Sequence, residues 1–484
     1  MTGWSMSCVH RGCGQLLGKA IRVFAALITL SLVTGPDLRA ETFRQESVPI
    51  GAGVYPKLHQ TIGMQTPGVP DSLFSAVGAA SRSTFWQDGI EKRVAFIPDP
   101  RWNRLAWATD GDSIRVKGEF GSGADKFSQP GWTAVGPGPG VAVADAANGR
   151  VCIYLYEKWS GYYNGYTLRY RGALADTAGF RVPSQVTWDD NGTPQDMGQD
   201  DIVWVLDSSS ARIAGYHVSY DPGDSWFVMS PYVRIDTRVF GNAAAPSAVV
   251  KMRTATAADP ATGYCTTELA VYDKAMRRFV VYDIPRSAGH IQNVAGTATF
   301  RYVDAPAEVG TITAMSADAW GNLLCVEGGR SRLVKLSRTF ELLEFFGSKG
   351  RGPIGTSQLW HPVAIQPEQR RLADGRKSLG KNAILTEAWS DSSGVQQIRL
   401  GLDVRDLMLW STPGVAEVQG QFKTTDAATI RVDVLNQYGT RVRTISSNAE
   451  LVPGLKGLLW DGRKDDGTYA PRCQTYTITN RSII

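Results

Sequence analysis

The sequence predicts an all-β chain: a six-bladed β-propeller, with seven blades as the alternative, followed by a small β-sandwich. Three observations lead there. An acidic residue closes one apolar strand and an arginine opens the next five positions later, and this hairpin pattern recurs along most of the chain. The composition is rich in Gly (51), Tyr (17) and Trp (14) and shows no long capped helical pattern after the first forty residues, which favours short strands joined by tight turns. Near Thr412 the pattern changes to a few longer, alternating strands.

In chain order, residues 1–40 come first and stand apart. Arg11, Lys19 and Arg22 make a basic leader, residues 23–33 form a charge-free apolar run, and Leu38-Arg39-Ala40 puts a small residue at a cleavage point. That order is the signature of a secretory signal peptide. The apolar run is about half of the ~20 residues a spanning helix needs, and no Cys ends it, so the expectation is cleavage rather than a membrane anchor or lipoprotein. The chain is then exported, periplasmic or extracellular, with no membrane span left. Taking Arg11, Lys19, Arg22, Arg39 and Asp37 away from the 51 Lys+Arg and 46 Asp+Glu leaves a net charge of +2. A nucleic-acid partner is excluded on that balance, because such partners need a clustered basic face. Residues 41–85, rich in Gly, Pro and Ser, supply either a strand that closes the ring or a loose leader. Cys8 and Cys13 leave with the leader; Cys152, Cys265, Cys325 and Cys473 remain without any CxxC or Cys/His metal spacing, and are expected as buried thiols.

The ring is assigned to residues 86–408. The acid/arginine pairs are Asp110/Arg115, Asp145/Arg150, Asp207/Arg212, Asp273/Arg278 and Glu327/Arg332, each between apolar, β-rich runs; a sixth, degraded copy ends its first strand at Glu387. A tight hairpin turn brings its two ends together, so the carboxylate can accept turn amides and meet the arginine across the turn. A hairpin repeat cannot bury both faces alone, and radial stacking of such units buries them and protects the sheet edges.

The segment from Val143 to Tyr154, VADAANGRVCIY, resembles the NHL repeat, and the linkers Phe120-Gly121-Ser122-Gly123 to Pro130 and Phe346-Gly347-Ser348 to Pro362 are similar to the linker between NHL blades. The resemblance implies an NHL-type propeller. Unequal spacing of the acidic positions means that several blades carry long loops. The second module, residues 412–484, has strand–turn–strand patterning around Asn436-Gln437-Tyr438-Gly439, then Pro453-Gly454, Trp460-Asp461-Gly462 and Asp465-Asp466-Gly467. It resembles the immunoglobulin-like domain of the flagellar hook-cap (FlgD) family, which implies that Asp461, Asp465 and Asp466 are turn residues.

The sequence contains no nucleophile elbow, P-loop or dinucleotide fingerprint, so no catalytic residue is assigned, and no cofactor is expected unless a calcium ion is bound. Asp189, Asp190, Asn191 and Asp196 concentrate hard oxygen donors in one loop, as calcium requires, against the plain reading of a turn. His361 sits before Pro362 at an expected channel mouth. Trp159, Tyr162, Tyr163 and Tyr166, continuing to Tyr170, mark an aromatic insertion that suits a protein or glycan partner, against the plain reading of packing between blades. The function expected is non-enzymatic recognition or scaffolding at the bacterial envelope or exterior; the alternative is a propeller lyase or hydrolase with a metal ion at the central channel.

Overall fold

A computed structural model describes residues 2–6, 43–47 and 78–483, apart from 88–89, 110–114, 137–139, 160–164, 175–179, 190–200, 222–225, 241, 253–263, 288–289, 292–298, 319–321, 351–357, 372–376, 389–392, 401–403, 412–416, 425–427, 452–453 and 472–475. Most of the signal-peptide expectation therefore lies outside the described residues. The chain divides into two units, residues 43–400 and residues 1–42 with 401–484.

The larger unit is a β-propeller made of five sheets. It contains six antiparallel four-stranded meanders. The second meander is Pro130–Val135, Gly140–Asp145, Arg150–Trp159 and Gly165–Leu174, and the third is Pro183–Asp189, Asp201–Asp207, Arg212–Asp221 and Trp226–Asp236. The fourth runs Pro246–Met252, Tyr264–Asp273, Arg278–Ser287 and Thr299–Asp304, and the fifth Ala314–Ala317, Leu323–Glu327, Arg332–Leu336 and Leu342–Phe346. The first (Ser81–Gln87, Ile90–Asp99, Arg104–Thr109, Arg115–Lys117) and the sixth (Pro362–Arg371, Lys377–Ala388, Ser393–Leu400) join in one eight-stranded sheet. Their link is a single parallel pair, Gln369↔Ser83, which is why six repeats yield five sheets. The sixth meander takes its outer strand from Phe43–Ser47, which pairs antiparallel with Ser393–Leu400. Of the two roles open to residues 41–85, this segment takes that of the closing strand: the last meander is completed from the start of the chain, and the ring closes without a free seam.

The first strand of each meander lies innermost, and each of these six strands contacts the inner strands before and after it around the circle. Interlocking side chains fill the wedges between sheets. Phe96 and Trp107 of the first meander pack on Cys152, Tyr154 and Tyr156 of the second, and Trp204 packs with Val249, Val271 and Tyr282 across the third and fourth. Four inner strands begin with proline, each opposite the acidic residue of its own hairpin: Pro130↔Asp145, Pro183↔Asp207, Pro246↔Asp273 and Pro362↔Glu387. A register shift follows each one. Proline lacks the N–H that a ladder would use, so it suits a first strand position beside a bulge.

The smaller unit has two antiparallel sheets. One orders Val404–Ser411, Val418–Thr424 and Gly454–Trp460; the other orders Thr2–Met6, Tyr476–Ile483, Ala428–Asn436 and Arg441–Leu451. Phe422, Leu458 and Trp460 from the first sheet and Val432 and Val434 from the second share one core. Asp461, Asp465 and Asp466 accept the backbone N–H groups of Arg463, Thr444 and Thr468, at 3.0, 3.0 and 2.9 Å. Strand Val404–Ser411, which the sequence pattern gives to the ring, pairs with Val418–Thr424 here.

Candidate functional site

The repeated acid and arginine residues meet as expected in four places: Asp145–Arg150 at 2.9 Å, Asp207–Arg212 at 3.6 Å, Asp273–Arg278 at 3.9 Å and Glu327–Arg332 at 2.7 Å. In the first meander Asp99 and Arg104 pair in this way, at 3.0 Å; Asp110, expected as the partner of Arg115, lies outside the described residues. Arg115 opens the outer strand one hairpin later, where it faces Trp107. The residue just before each arginine is left-handed in all five hairpins: Asn103 (φ 49), Gly149 (φ 59), Ala211 (φ 50), Arg277 (φ 52) and Ser331 (φ 52). Only Asn103 and Gly149 are residue types that favour that conformation, so the other three are held there by the pairing around them.

Three of the carboxylates also fasten the linker that leads into their own inner strand. Asp145 accepts the Ser128 amide at 2.6 Å, Asp207 the Arg181 amide at 2.8 Å, and Glu387 the Trp360 amide at 2.8 Å. The arginine takes linker carbonyls: Arg150 donates to those of Ser122 (2.6 Å), Gly123 (2.9 Å) and Lys126 (2.7 Å), and Arg332 to that of Glu308 (2.7 Å). Burial alone would raise the Asp207 carboxyl, but the Arg181 amide and the neighbouring donors outweigh it and hold the group below the ordinary carboxylate range. These pairs are braces between hairpin and linker, and their charges are used in holding the ring.

Neutral side chains bond the inner strands to one another, and two of those strands also carry buried charge, Arg82 and Glu368, the latter 3.4 Å from Arg93. Gln185, 3% exposed, donates to the carbonyls of Val249 (2.7 Å) and Met315 (3.0 Å) and accepts the Val249 amide (2.9 Å), tying the third, fourth and fifth inner strands. Gln366 donates to the Thr133 carbonyl at 2.8 Å, Ser81 to the Thr133 hydroxyl at 2.9 Å, and Ser316 to the Ile365 carbonyl at 2.6 Å. Sequence reasoning missed all four of these donors, because a single Gln or Ser in an apolar strand carries no periodic signal. Among the described residues no group of three His, Cys, Asp or Glu side chains could hold a metal ion.

The expected site residues separate. Asp189 is fully buried and accepts the Trp204 indole N–H at 3.1 Å, while Asp201, across the strand pair, accepts that of Trp188 at 2.6 Å. Asp190, Asn191 and Asp196 lie outside the described residues, as do Tyr162 and Tyr163. Trp159 ends the third strand of its meander. Tyr166 is half-buried, 5.6 Å from the Tyr156 ring, and Tyr170 stands edge-on to Tyr154, so both pack into the wedge between the first and second meanders. His361 is exposed in the linker before Pro362, edge-on to Trp360 at 5.6 Å.

Beside Tyr166 and Tyr170 lies a feature the sequence did not reveal. A cleft of about 870 Å³ opens between the outer strands Arg115–Lys117 and Gly165–Leu174, lined among others by Trp107, Arg115, Lys117, Asp125, Arg169 and Tyr170. Arg115 donates to the Tyr166 carbonyl at 2.9 Å, and Lys117 to that of Leu168 at 2.7 Å and to Asp125 at 3.1 Å. Side chains thus bridge two outer strands that form no ladder with each other.

No family model matches the chain, and no curated protein matches it. Among solved structures it is similar to a virginiamycin B lyase from Staphylococcus aureus, with 13% identity over 70% of this chain and 83% of that one and a TM-score of 0.38. It is also similar to a gluconolactonase from Xanthomonas campestris (11% identity, 76% and 98% covered, TM-score 0.36) and to a regucalcin from Agrobacterium tumefaciens (10%, 68% and 91%, TM-score 0.35).

Proposed function

We propose that the chain is a non-enzymatic recognition or scaffolding protein of the bacterial envelope or exterior, whose propeller binds a protein or glycan partner. The observation that carries this reading is the tied centre of the ring, where Gln185, Gln366, Ser81 and Ser316 bond neighbouring inner strands to one another. Around it, hairpins braced to linkers make a rigid face of the kind recognition uses, because a preorganised surface loses little conformational entropy on binding.

Three finer assignments belong to the same reading. The six meanders are six blades of the NHL type, supported by the VADAANGRVCIY segment and the uniform left-handed hairpins. The smaller unit is a FlgD-type immunoglobulin-like sandwich, supported by its two sheets and shared core. Residues 1–40 are a signal peptide removed on export to the periplasm or beyond, supported by the basic leader and short apolar run.

The test is a thermal melt of the purified protein with and without chelator, paired with elemental analysis for calcium and zinc. A bound ion stabilises the state that holds it, so stripping one lowers the melting temperature. An unchanged melt with no stoichiometric metal is the expected result. A near-stoichiometric ion whose removal lowers the melt would sink the reading and return Asp189 and His361 to consideration as site residues.

A further inference from the structure

We propose that the cleft between the outer strands Arg115–Lys117 and Gly165–Leu174 binds an acidic glycan, taking the carboxylate of a uronic-acid unit on Arg115 and Lys117. The proposal rests on the recognition reading above and names its ligand class. Its volume, about 870 Å³, lies within the range of small-ligand sites.

Three cations, Arg115, Lys117 and Arg169, line the cleft; Lys117 pairs with Asp125 at 3.1 Å and Arg169 with Glu157 at 2.6 Å, which leaves the charge of Arg115 in excess. This is a local excess on a chain that is close to neutral once its leader is set aside. Arg115 and Lys117 also donate to backbone carbonyls, those of Tyr166 and Leu168. A carbonyl orients a cation without cancelling its charge. A guanidinium has five N–H donors, and the Tyr166 carbonyl uses one of those on Arg115, so most of them remain for a ligand. Gly165 makes room for that pose: a Cβ there would stand 3.0 Å from Arg115 Nη1. The guanidinium therefore lies close against the neighbouring strand at the wall of the cleft, and a guanidinium can take a carboxylate through two parallel N–H donors.

The remaining lining favours a sugar over an acidic peptide. Tyr170, half-buried, gives apolar ring surface on which the C–H face of a sugar can lie, and Thr167 and Asp125 give acceptors for hydroxyls. Asp125, 3.1 Å from Lys117, also penalises closely spaced carboxylates. A uronate chain has one carboxylate per ring with hydroxyls between; an oligoglutamate places a carboxylate on every residue.

The experiment is calorimetric titration of the whole protein with tetragalacturonate, its methyl ester and tetraglutamate, at low and high salt. The variant is Arg115→Gln with Lys117→Gln, which keeps side-chain donors toward the Tyr166 and Leu168 carbonyls; its melt is compared with wild type as the check on folding. The expected result is binding of the free acid that weakens with salt, and at least a ~10-fold loss for both the ester and the double variant, the scale of one charge-assisted hydrogen bond. Equal affinity for acid and ester, equal or tighter binding of tetraglutamate, or acid binding untouched by the double substitution each overturns the proposal. Absence of acid binding while a neutral oligosaccharide or an envelope protein binds refutes the uronate site and leaves the recognition reading standing. A stoichiometric ion in the chelator melt removes the recognition reading itself.

Discussion

Replacing Asp145 by alanine isolates what the repeated brace contributes. The carboxylate is fully buried and accepts three hydrogen bonds: from the Ser128 amide (2.6 Å), from Asn148 Nδ2 (2.7 Å) and from Arg150 Nε (2.9 Å).

 Removing a buried partner of an ion pair costs about 3–5 kcal/mol when the other charge is left stranded. Arg150 is not stranded: its side chain is 14% exposed and keeps the Ser122, Gly123 and Lys126 carbonyls. The loss for Asp145→Ala therefore falls lower, at about 2–4 kcal/mol, most of it from the Ser128 and Asn148 donors left without an acceptor.

Asp145→Asn separates charge from shape. Its carboxamide can accept the Ser128 amide through its oxygen, but then turns a donor toward Arg150, so a loss of about 1–2 kcal/mol is expected. The assay is urea unfolding followed by tryptophan fluorescence, read as a midpoint shift at constant slope. Exchange of the Ser128 amide hydrogen should quicken in both variants. The reasoning is refuted if Asp145→Ala stays within about 0.5 kcal/mol of wild type, the range of an ordinary surface substitution.

Further outcomes follow from the same geometry. Gln185→Leu keeps the volume but strips three buried hydrogen bonds from the inner strands, and should cost about 2–4 kcal/mol by the same unfolding measurement. Ala211→Gly relieves a left-handed residue and should stabilise the ring by roughly 0.5–1 kcal/mol; a destabilised variant would show that the Ala211 methyl, 4% exposed, matters more than its backbone. Gly215→Ala would set a Cβ 2.7 Å from the Trp204 ring, so a loss of about 1–3 kcal/mol with altered Trp fluorescence is expected. Burial pushes the Cys152 thiol up to about 12 and raises that of Cys325 as well. Because both folded-state values exceed the unfolded one, their contribution is intact below pH ~9 and is lost as pH climbs toward 12; thiol-labelling mapped by mass spectrometry should find both cysteines unreactive in the native protein at mildly alkaline pH.

The repeat was legible because the brace needs fixed residue types at fixed spacing: an acid, and an arginine five positions on. Four of the five assigned pairs stand where the sequence puts them. The first was displaced by one hairpin because Ile90–Asp99 carries Glu91, Lys92 and Arg93 and reads as polar, whereas Arg104–Thr109 reads as an apolar strand leading to Asp110. Pro183 and Pro246 could have corrected the register, since each opens an inner strand opposite its acid just as Pro130 and Pro362 do. The sequence leaves the aromatic insertion open between a contact surface and packing between blades, and Tyr166 and Tyr170 pack in the wedge between meanders; aromatic residues look the same in sequence whether they meet a neighbour or a ligand. The central donors and the cleft were not legible, because each is assembled from residues far apart in the chain.

The displaced first pair also bears on where recognition can sit. In all five braced hairpins the arginine faces a buried carboxylate, and Arg150 and Arg332 also donate to linker carbonyls, so the most conspicuous charges of the sequence hold the ring and offer little to a partner. Arg115 looks in sequence like one more of them. Because Asp99 and Arg104 fill that role in the first meander, Arg115 is released to the outer strand, where Gly165 lets it lie along the neighbouring meander and Lys117 stands two residues on. A repeat fold leaves its uncommitted charge where the repeat fails, and here that place is the cleft between the first two meanders.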